Sequence, residues 1–326
     1  MEYRHLNIDE REVILKMRAQ QASMQDIGKR LGRSKGTISR ELLRNVSSTR
    51  DYKLHLAQRY YEIRRRETKA PYRLEEDDWL RGCVRKKLKQ YWSPEQISGV
   101  LRDAHGIAIS PVTIYSWVYR SRTKGSADYL YLRQSHKRRR KRRAGEDHRG
   151  RMPDRRMIDQ RPKVTNRRRR IGDWESDTLE GRKGSGFIAT HVDRKSRYTA
   201  AVKVSDKSVE TVNRAICAMM RQLPPQKVKT MTFDNGKEFA GFKDLERALG
   251  IRCYFAHPYH RWERGTHENT NGLLRQFFPK GMDFSAVTQA DIDKAVALLN
   301  NRPRKCLTYR TPTAVFWSKP MRCASD

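Results

Sequence analysis

The sequence predicts a multidomain α+β chain, with all-α modules first and a mixed α/β domain after them. Three observations carry this. Short, capped amphipathic helices fill the first 124 residues, and from Gly172 strands begin to alternate with helices. The charge is also uneven: residues 1–170 hold 45 Lys+Arg against 20 Asp+Glu, a net of +25, whereas 171–326 hold 26 against 17, a net of +9. An excess of that size in one half points to a polyanionic partner, nucleic acid above all.

Taken in order, Ile8, Val13, Ile14 and Met17 mark a first helix. Ser23 caps a second, with Asp26 at the third position in a variant of the capping box. Met24, Ile27 and Leu31 share one face of it, Gly32 breaks it, and Ser34 caps a third helix with Ile38 and Leu42 inward. Two short helices joined by a glycine turn form a helix-turn-helix pattern. Lys35, Thr37, Ser39 and Arg40 then lie outward near the N-terminus of the second helix of the pair, the end that meets base edges.

A second unit repeats the pattern. Ser93-Pro94-Glu95-Gln96 starts a helix with Ile97, Val100 and Leu101 inward; after Gly106, Ser110-Pro111 starts another. The latter carries Val112, Ile114, Tyr115, Trp117 and Val118, and offers Thr113, Ser116 and Arg120 as DNA contacts. Residues 133–170 follow with 18 Lys+Arg and 4 Asp+Glu, a net of +14. Such a block repels itself and is expected to be disordered free in solution, lying along phosphates when nucleic acid is present. Arg138, Arg139 and Arg140 stand for it. The expected organisation is a first helix-turn-helix module at 1–50, a helical connector at 51–90, a second module at 91–124, a basic linker at 125–170, and the α/β domain with a C-terminal helical extension at 171–326.

In that domain GDWESDTLEG, GFIATHVDRKSRY and YTAAVKVS read as three successive strands. A helix over 207–223, a buried strand ending at Asp234, a helix over 238–249, the strand IRCYFAH and a helix from about Thr266 complete it. No phosphate-cradling GxxxxGK[ST] loop is present, which removes the nucleotide-binding class. The five cysteines form no C-x-x-C pair, and no apolar run reaches the ~20 residues of a membrane span. MEYRHLNIDER shows no leader-like run, so a cytoplasmic protein is expected.

Acidic residues stand out in so basic a chain. Asp177, Asp234 and Glu268 each sit at a strand end or helix start, with 33 residues between the last two. Carboxylates that converge against a polyanion suit metal ions between them, and two divalent ions can drive in-line phosphodiester chemistry. Rivals exist: Asp173, Glu175 and Asp177 alternate on one strand face, and Glu238 and Glu263 flank the other two. Glu268, Gly272 and Arg275 share a helix face, so Arg275 is a candidate phosphate contact. Arg261, Trp262 and Arg264 precede that helix; a tryptophan flanked by arginines suits stacking on an unpaired base. Cys253, His257, His260 and His267 make a loose cluster without the paired spacing of zinc sites.

The element order and these motifs resemble the RNase H-like fold of DDE transposases and retroviral integrases. HLNIDEREVI, LGRSKGTISREL, GDWESD, TFDNGKEFAG, RWERGTHENTNGLLRQFFPKG and LNNRPRKCLTYRTP extend the resemblance over nearly the whole chain to the transposase family of insertion sequence thirty. His260 and His267 depart from the family wording, where Ser and Asn are usual, and are expected to stay clear of the metal ligands. The resemblance implies that the first and fourth strands are neighbours and that Asp177, Asp234 and Glu268 are the catalytic metal ligands, with Asp177 preferred over Glu175. It further implies two Mg²⁺ (or Mn²⁺) ions, double-stranded DNA as partner (element terminal inverted repeats and target), and a circular intermediate with abutted ends. Holding two element ends requires a homo-oligomer, at least a dimer, in a nucleoid-associated bacterial protein. The alternatives are a helix-turn-helix regulator with an inert α/β domain, and a sequence-independent RNase H-like nuclease.

Overall fold

The computed structural model describes residues 4–45, 52–67, 73–133, 154–258 and 260–318, with only the backbone for 66, 67 and 261. Residues 138–140 therefore lie outside the described residues. The chain forms two compact units, 1–76 and 77–326.

The first unit holds α1 (Ile8–Ala19), α2 (Met24–Leu31), α3 (Lys35–Asn45), α4 (Leu54–Glu67) and the short α5 (Arg73–Glu76). Ser23 and Ser34 cap α2 and α3 as expected, each accepting from the amide three residues on. Gly32 ends α2 in the left-handed region at φ 62°, and Gly28 lets the turn close: a Cβ there would sit 2.7 Å from the Arg33 carbonyl oxygen. Ile14, Ile27 and Ile38 are fully buried between the helices. Ile8 is 51% exposed instead of inward, because Arg11 takes the inner face. Its Nε donates to Glu41 Oε1 at 2.7 Å and its Nη1 to Leu6 O at 2.9 Å, so the charge is paired where it is buried.

The second unit begins with α6 (Asp78–Lys89), α7 (Pro94–His105) and α8 (Pro111–Thr123). Ser93 and Gln96 make the predicted capping box, and Ser110 caps α8. Ile97, Leu101, Ile114, Trp117 and Val118 are buried, whereas Val112 and Tyr115 face outward. Gly99 of α7 is covered by the ring of Tyr309, and Lys305 Nζ reaches Glu95 at 2.8 Å, so this module packs on the C-terminal part of its unit.

The charged segment behaves differently from the expectation of disorder over 154–170. Met157 forms a parallel bridge with Phe255, Ile158 is buried, and Arg161 is buried with its Nη1 donating to Thr232 Oγ1 at 3.0 Å. A short α9 (Lys163–Asn166) follows, and Arg170 grips Asp173 with two bonds of 2.9 Å. A few apolar side chains and donors matched to buried acceptors overcome the repulsion that the charge count implies.

The α/β part is a five-stranded sheet ordered β3-β2-β1-β4-β5, from β1 (Asp173–Glu180), β2 (Phe187–Asp193), β3 (Thr199–Val204), β4 (Thr230–Phe233) and β5 (Arg252–Phe255). The first three strands run as antiparallel hairpins; β4 lies parallel to β1 and β5 parallel to β4. On one face α10 (Val209–Met220) and α11 (Phe242–Leu249) cover Trp174, Ala189, Met231 and Phe233. On the other, α12 (Gly265–Leu274) and α13 (Gln289–Asn300) cover Leu179, Ile188 and Ala201, while α14 (Pro312–Trp317) sets Phe316 against Trp174 on the first face. The helix expected over 238–249 is broken at Gly241 into a 3₁₀ turn (Lys237–Phe239) and α11. The glycine is required there: a side chain would strike Val209 and Asn213 of α10.

Candidate active site

Strand alternation puts Asp173, Glu175 and Asp177 on the face of β1 that meets α12. The parallel register pairs Asp173 with Thr230 and Glu175 with Thr232. Two residues further on, the same offset sets Asp177 opposite Asp234, just past the end of β4. The three acids of β1 nonetheless differ. Asp173 is buried against Arg170 and Thr230 Oγ1. Glu175 is fully buried, ion-paired to Arg194, and accepts the His267 amide at 2.9 Å. Only Asp177, mid-strand and past the last residue of β1 paired to β4, keeps a quarter of its side chain exposed (26%).

Arg264 joins Asp177 and Asp234. Its guanidinium lies 3.6 Å from Asp177 Oδ2 and 3.5 Å from Asp234 Oδ2, and donates to Ser176 O at 3.3 Å. It is thus a cation held between two carboxylates, with 14% of its side chain exposed. Asp177 also accepts from the Thr178 amide at 2.8 Å and from Asn271 Nδ2 at 3.3 Å. His267, expected to stay clear of the acids, brings Nδ1 to 3.5 Å from Asp177 Oδ2 while Nε2 contacts Thr190 Oγ1 at 2.9 Å. The reason is helical geometry: residues 267 and 271 are one turn apart on the face of α12 that packs on β1 and β2. Burial pushes the Asp177 carboxyl up, but His267, Arg264 and the Thr178 amide outweigh it and hold the group below the usual carboxylate range. Burial and the neighbouring charge of Asp177 push Asp234 the other way. The opposite shifts are those of two neighbouring carboxylates, one favoured in its charged form and the other disfavoured by it.

Glu268 is exposed in the first turn of α12. Glu238 approaches as a fourth acid, accepting from Thr178 Oγ1 at 3.0 Å and raising Asp234. Among the described residues, the ligand atoms drawn within 4.8 Å of one another belong to His257, His260 and Glu263, not to Asp177, Asp234 and Glu268. Glu263 is thereby engaged with two histidines, His257 Nδ1 lying 2.9 Å from Oε1. The looser cysteine–histidine group does not form: Cys253 is buried with its Sγ 3.8 Å from Phe242 O, and His267 belongs to Asp177.

With this geometry in view, known proteins resemble the chain closely. A helix-turn-helix domain family matches residues 2–45 and the integrase core domain family matches residues 167–261. The transposase for insertion sequence element IS4351 of Bacteroides fragilis is 38% identical over 96% of this chain and 95% of its own length. Transposase InsI for insertion sequence element IS30A of Escherichia coli K12 is 39% identical over 96% of this chain and 83% of its own. This chain belongs to the IS30 family of transposases. Among solved structures, the catalytic core domain of BIV integrase aligns with 45% of this chain and 94% of its own at 20% identity, with a TM-score of 0.37, too loose a likeness to add weight.

The remaining candidates of the transposase fall into two groups. Lys35, Arg40 and Ser116 are exposed on α3 and α8, the second helices of the two modules. Thr37 and Thr113 are half-buried and pair with the capping hydroxyls of Ser34 and Ser110; Ser39 and Arg120 are also half-buried. Trp262 is 71% exposed with His260 against its ring at 4.4 Å, an open stacking face. Arg261 contributes its backbone to the 3₁₀ turn Arg261–Arg264. Arg275, by contrast, donates to Glu180 O at 2.9 Å and Phe278 O at 3.3 Å, fastening α12 to the end of β1. Arg264, His267 and Asn271 were missed as partners of Asp177. The spacing of 267 and 271 within one helix was the available signal, but nothing local showed which strand that face would meet.

Proposed function

We propose that Asp177, Asp234 and Glu268 are the catalytic carboxylates of this transposase. One observation carries the reading: the Arg264 guanidinium, a stand-in cation, lies within 3.6 Å of both Asp177 on β1 and Asp234 just past the neighbouring β4. A donor set of carboxylates already paired to a cation fits hard divalent ions. Two Mg²⁺ (or Mn²⁺), when bound by these acids, supply Lewis-acid polarisation of the scissile phosphate and a lowered pKa for the attacking hydroxyl.

The chain's own residues do the rest. Arg264 withdraws from between the acids and becomes available to a DNA phosphate. Asn271 and the Thr178 amide hold one Asp177 oxygen each. In-line attack by water on the phosphodiester at the element end breaks a P–O bond and leaves a 3′-OH. That hydroxyl then forms a P–O bond to the target strand as the target's own 3′-oxygen leaves, so no covalent protein–DNA link is needed. Lys35, Thr37, Ser39 and Arg40, with Thr113, Ser116 and Arg120, direct the two modules to the terminal inverted repeats. Trp262 stacks on a base beside the cut, and Arg261 and Arg275 serve the backbone. Two ends held together call for at least a dimer, in a nucleoid-associated cytoplasmic protein. Among the described residues no helix is long and apolar enough to cross a membrane.

The test is strand transfer with Mg²⁺ on a labelled duplex carrying the element end, comparing wild type with Asp234→Ala and Asp234→Asn. Both variants should melt as wild type and yield no product. Equal product from folded Asp234→Ala would remove Asp234 from the reaction.

A further inference from the structure

A cavity of about 180 Å³ opens beside α12, its lining including Arg168, Arg197, Arg304, Thr266, Asn269 and Cys306. Its volume is several times the ~30 Å³ share of one water. Three arginines line it and no lining residue is acidic. Such a gathering of like charges is costly unless an anion joins it.

The donors are held ready. Arg197 Nη1 donates to Thr266 Oγ1 at 2.6 Å. Arg168 and Arg197 both sit in the left-handed backbone region, at φ 53° and 63°, which non-glycine residues adopt at a cost. Arg304 Nη2 donates to Leu299 O at 3.2 Å, while its Nε is sealed from solvent without a hydrogen-bond partner. Behind it Arg302 is 3% exposed, and its Nε and Nη2 are likewise unpartnered. Arg133 adds a further guanidinium over Gly272 of α12, where a Cβ would sit 2.5 Å from its Nη2. Burial, and then the charges of neighbouring arginines, push the Arg302 guanidinium down to about 9. Arg304 falls to about 10, by burial first and with Arg197 and Arg133 also opposing its charge. Both remain cationic at neutral pH. Gly265 and Thr266, the first two residues of α12, complete the wall with the positive end of the helix.

We propose that this cavity is a phosphate site, in which Arg168, Arg197 and Arg304 clamp one backbone phosphate of the DNA whose cleaved end lies at Asp177 and Asp234. This rests on the proposed function for where the DNA runs, but not on the identity of the catalytic acids. Guanidinium forks match phosphate oxygens in pairs, and the helix start adds a field of the right sign. The contact reads no base, so it positions the strand without selecting sequence.

Cys306 is exposed in the lining and reports on occupancy. In the full chain without divalent ions, alkylation of Cys306 is followed by mass spectrometry with duplex DNA, with inorganic phosphate, or with neither. Duplex affinity is measured in parallel against salt. Duplex should protect Cys306 in wild type and in Asp234→Ala. It should not protect Cys306 in Arg197→Ala/Arg304→Gln, whose affinity falls about tenfold. The slope of log affinity on log salt should lose about 0.9, the share of one phosphate. The double variant should melt no lower than wild type, since repulsion is relieved; should it unfold, Arg197→Gln carries the same comparison. Protection by inorganic phosphate with unchanged duplex affinity in the variant would make this a free-anion site, and protection by neither would leave no anion site at all. Either overturns the proposal. Because binding is read without chemistry, strand transfer by Asp234→Ala would sink the catalytic assignment and leave this result standing.

Discussion

On one side of α12, His267 and Asn271 look onto Asp177; on the other, Thr266 and Asn269 look into a cavity walled by Arg168, Arg197 and Arg304. Both sides are unbalanced in charge, in opposite senses. The acid side gathers Asp177 and Asp234 around the Arg264 guanidinium, with Glu238 close enough to raise Asp234. The basic side gathers arginines without an acid in the lining. One ten-residue helix thus separates a place rich in carboxylates from one rich in arginines. A polyanion cut with the help of cations needs both, a short distance apart. The contrast teaches that the helix works as a partition as much as a carrier of Glu268.

The partition is tested hardest at Asn271. It donates to Asp177 Oδ2 and accepts from Thr190 Oγ1 at 3.0 Å, so it ties the carboxylate to β2. Asn271→Ala should lower strand transfer by ~10–100-fold, the usual cost of removing a partner behind a metal ligand. The loss should shrink as Mg²⁺ is raised, and duplex affinity in its absence should hold. Equal loss of duplex affinity would mean that the acid side also grips DNA directly, and the partition would fail.

How much of this was legible beforehand depends on whether a feature was local. Asp177, Asp234 and Glu268 stood in compact strings; β1 and β4 are neighbours as expected, but Asp177 lies in the middle of β1 and not at an element end. Arg264, His267 and Asn271 were legible as residues but not as partners of Asp177. Arg264 meets Ser176 across 88 positions, and Asn271 meets Asp177 across 94. Only the packing of α12 on β1 decides such contacts. The charge count also hid the order of 154–170, because it weighs Arg161 as repulsion and not as a donor to Thr232. The arginine cavity draws from 168, 197 and 304, three loops that no motif links.

A milder test lies behind the acid side. His191 is fully buried on β2, its Nδ1 2.8 Å from Ser176 Oγ and its Nε2 without a partner. Burial first, and then the charge of His267, push it down to about 3 from an ordinary 6.5. Between those values the unfolded chain binds the proton and the folded chain does not. Stability is therefore lost as pH falls below about 6.5, by roughly 2 kcal/mol at pH 5. Melting of the full chain between pH 7 and pH 5 should show this loss, and His191→Gln should flatten it. An unchanged slope in the variant would move the acid sensitivity to some other group.

The smallest expected effect concerns the basic side and has the opposite sign. A buried guanidinium with two unpartnered nitrogens and arginine neighbours weakens the fold that holds it. Arg302→Met keeps most of the side-chain length and removes the charge. It should stabilise the DNA-free protein by on the order of 1 kcal/mol, or a rise of about 2–4 °C in Tm for a unit of this size. Added duplex should erase part of the difference, since the bound phosphate offsets the repulsion in wild type but has less to offset in the variant. A fall in Tm without DNA would mean that Arg302 is satisfied by packing or by its remaining nitrogen. The two sides of α12 would then differ in composition but not in strain, and the arginines would be structural cement instead of a waiting anion site.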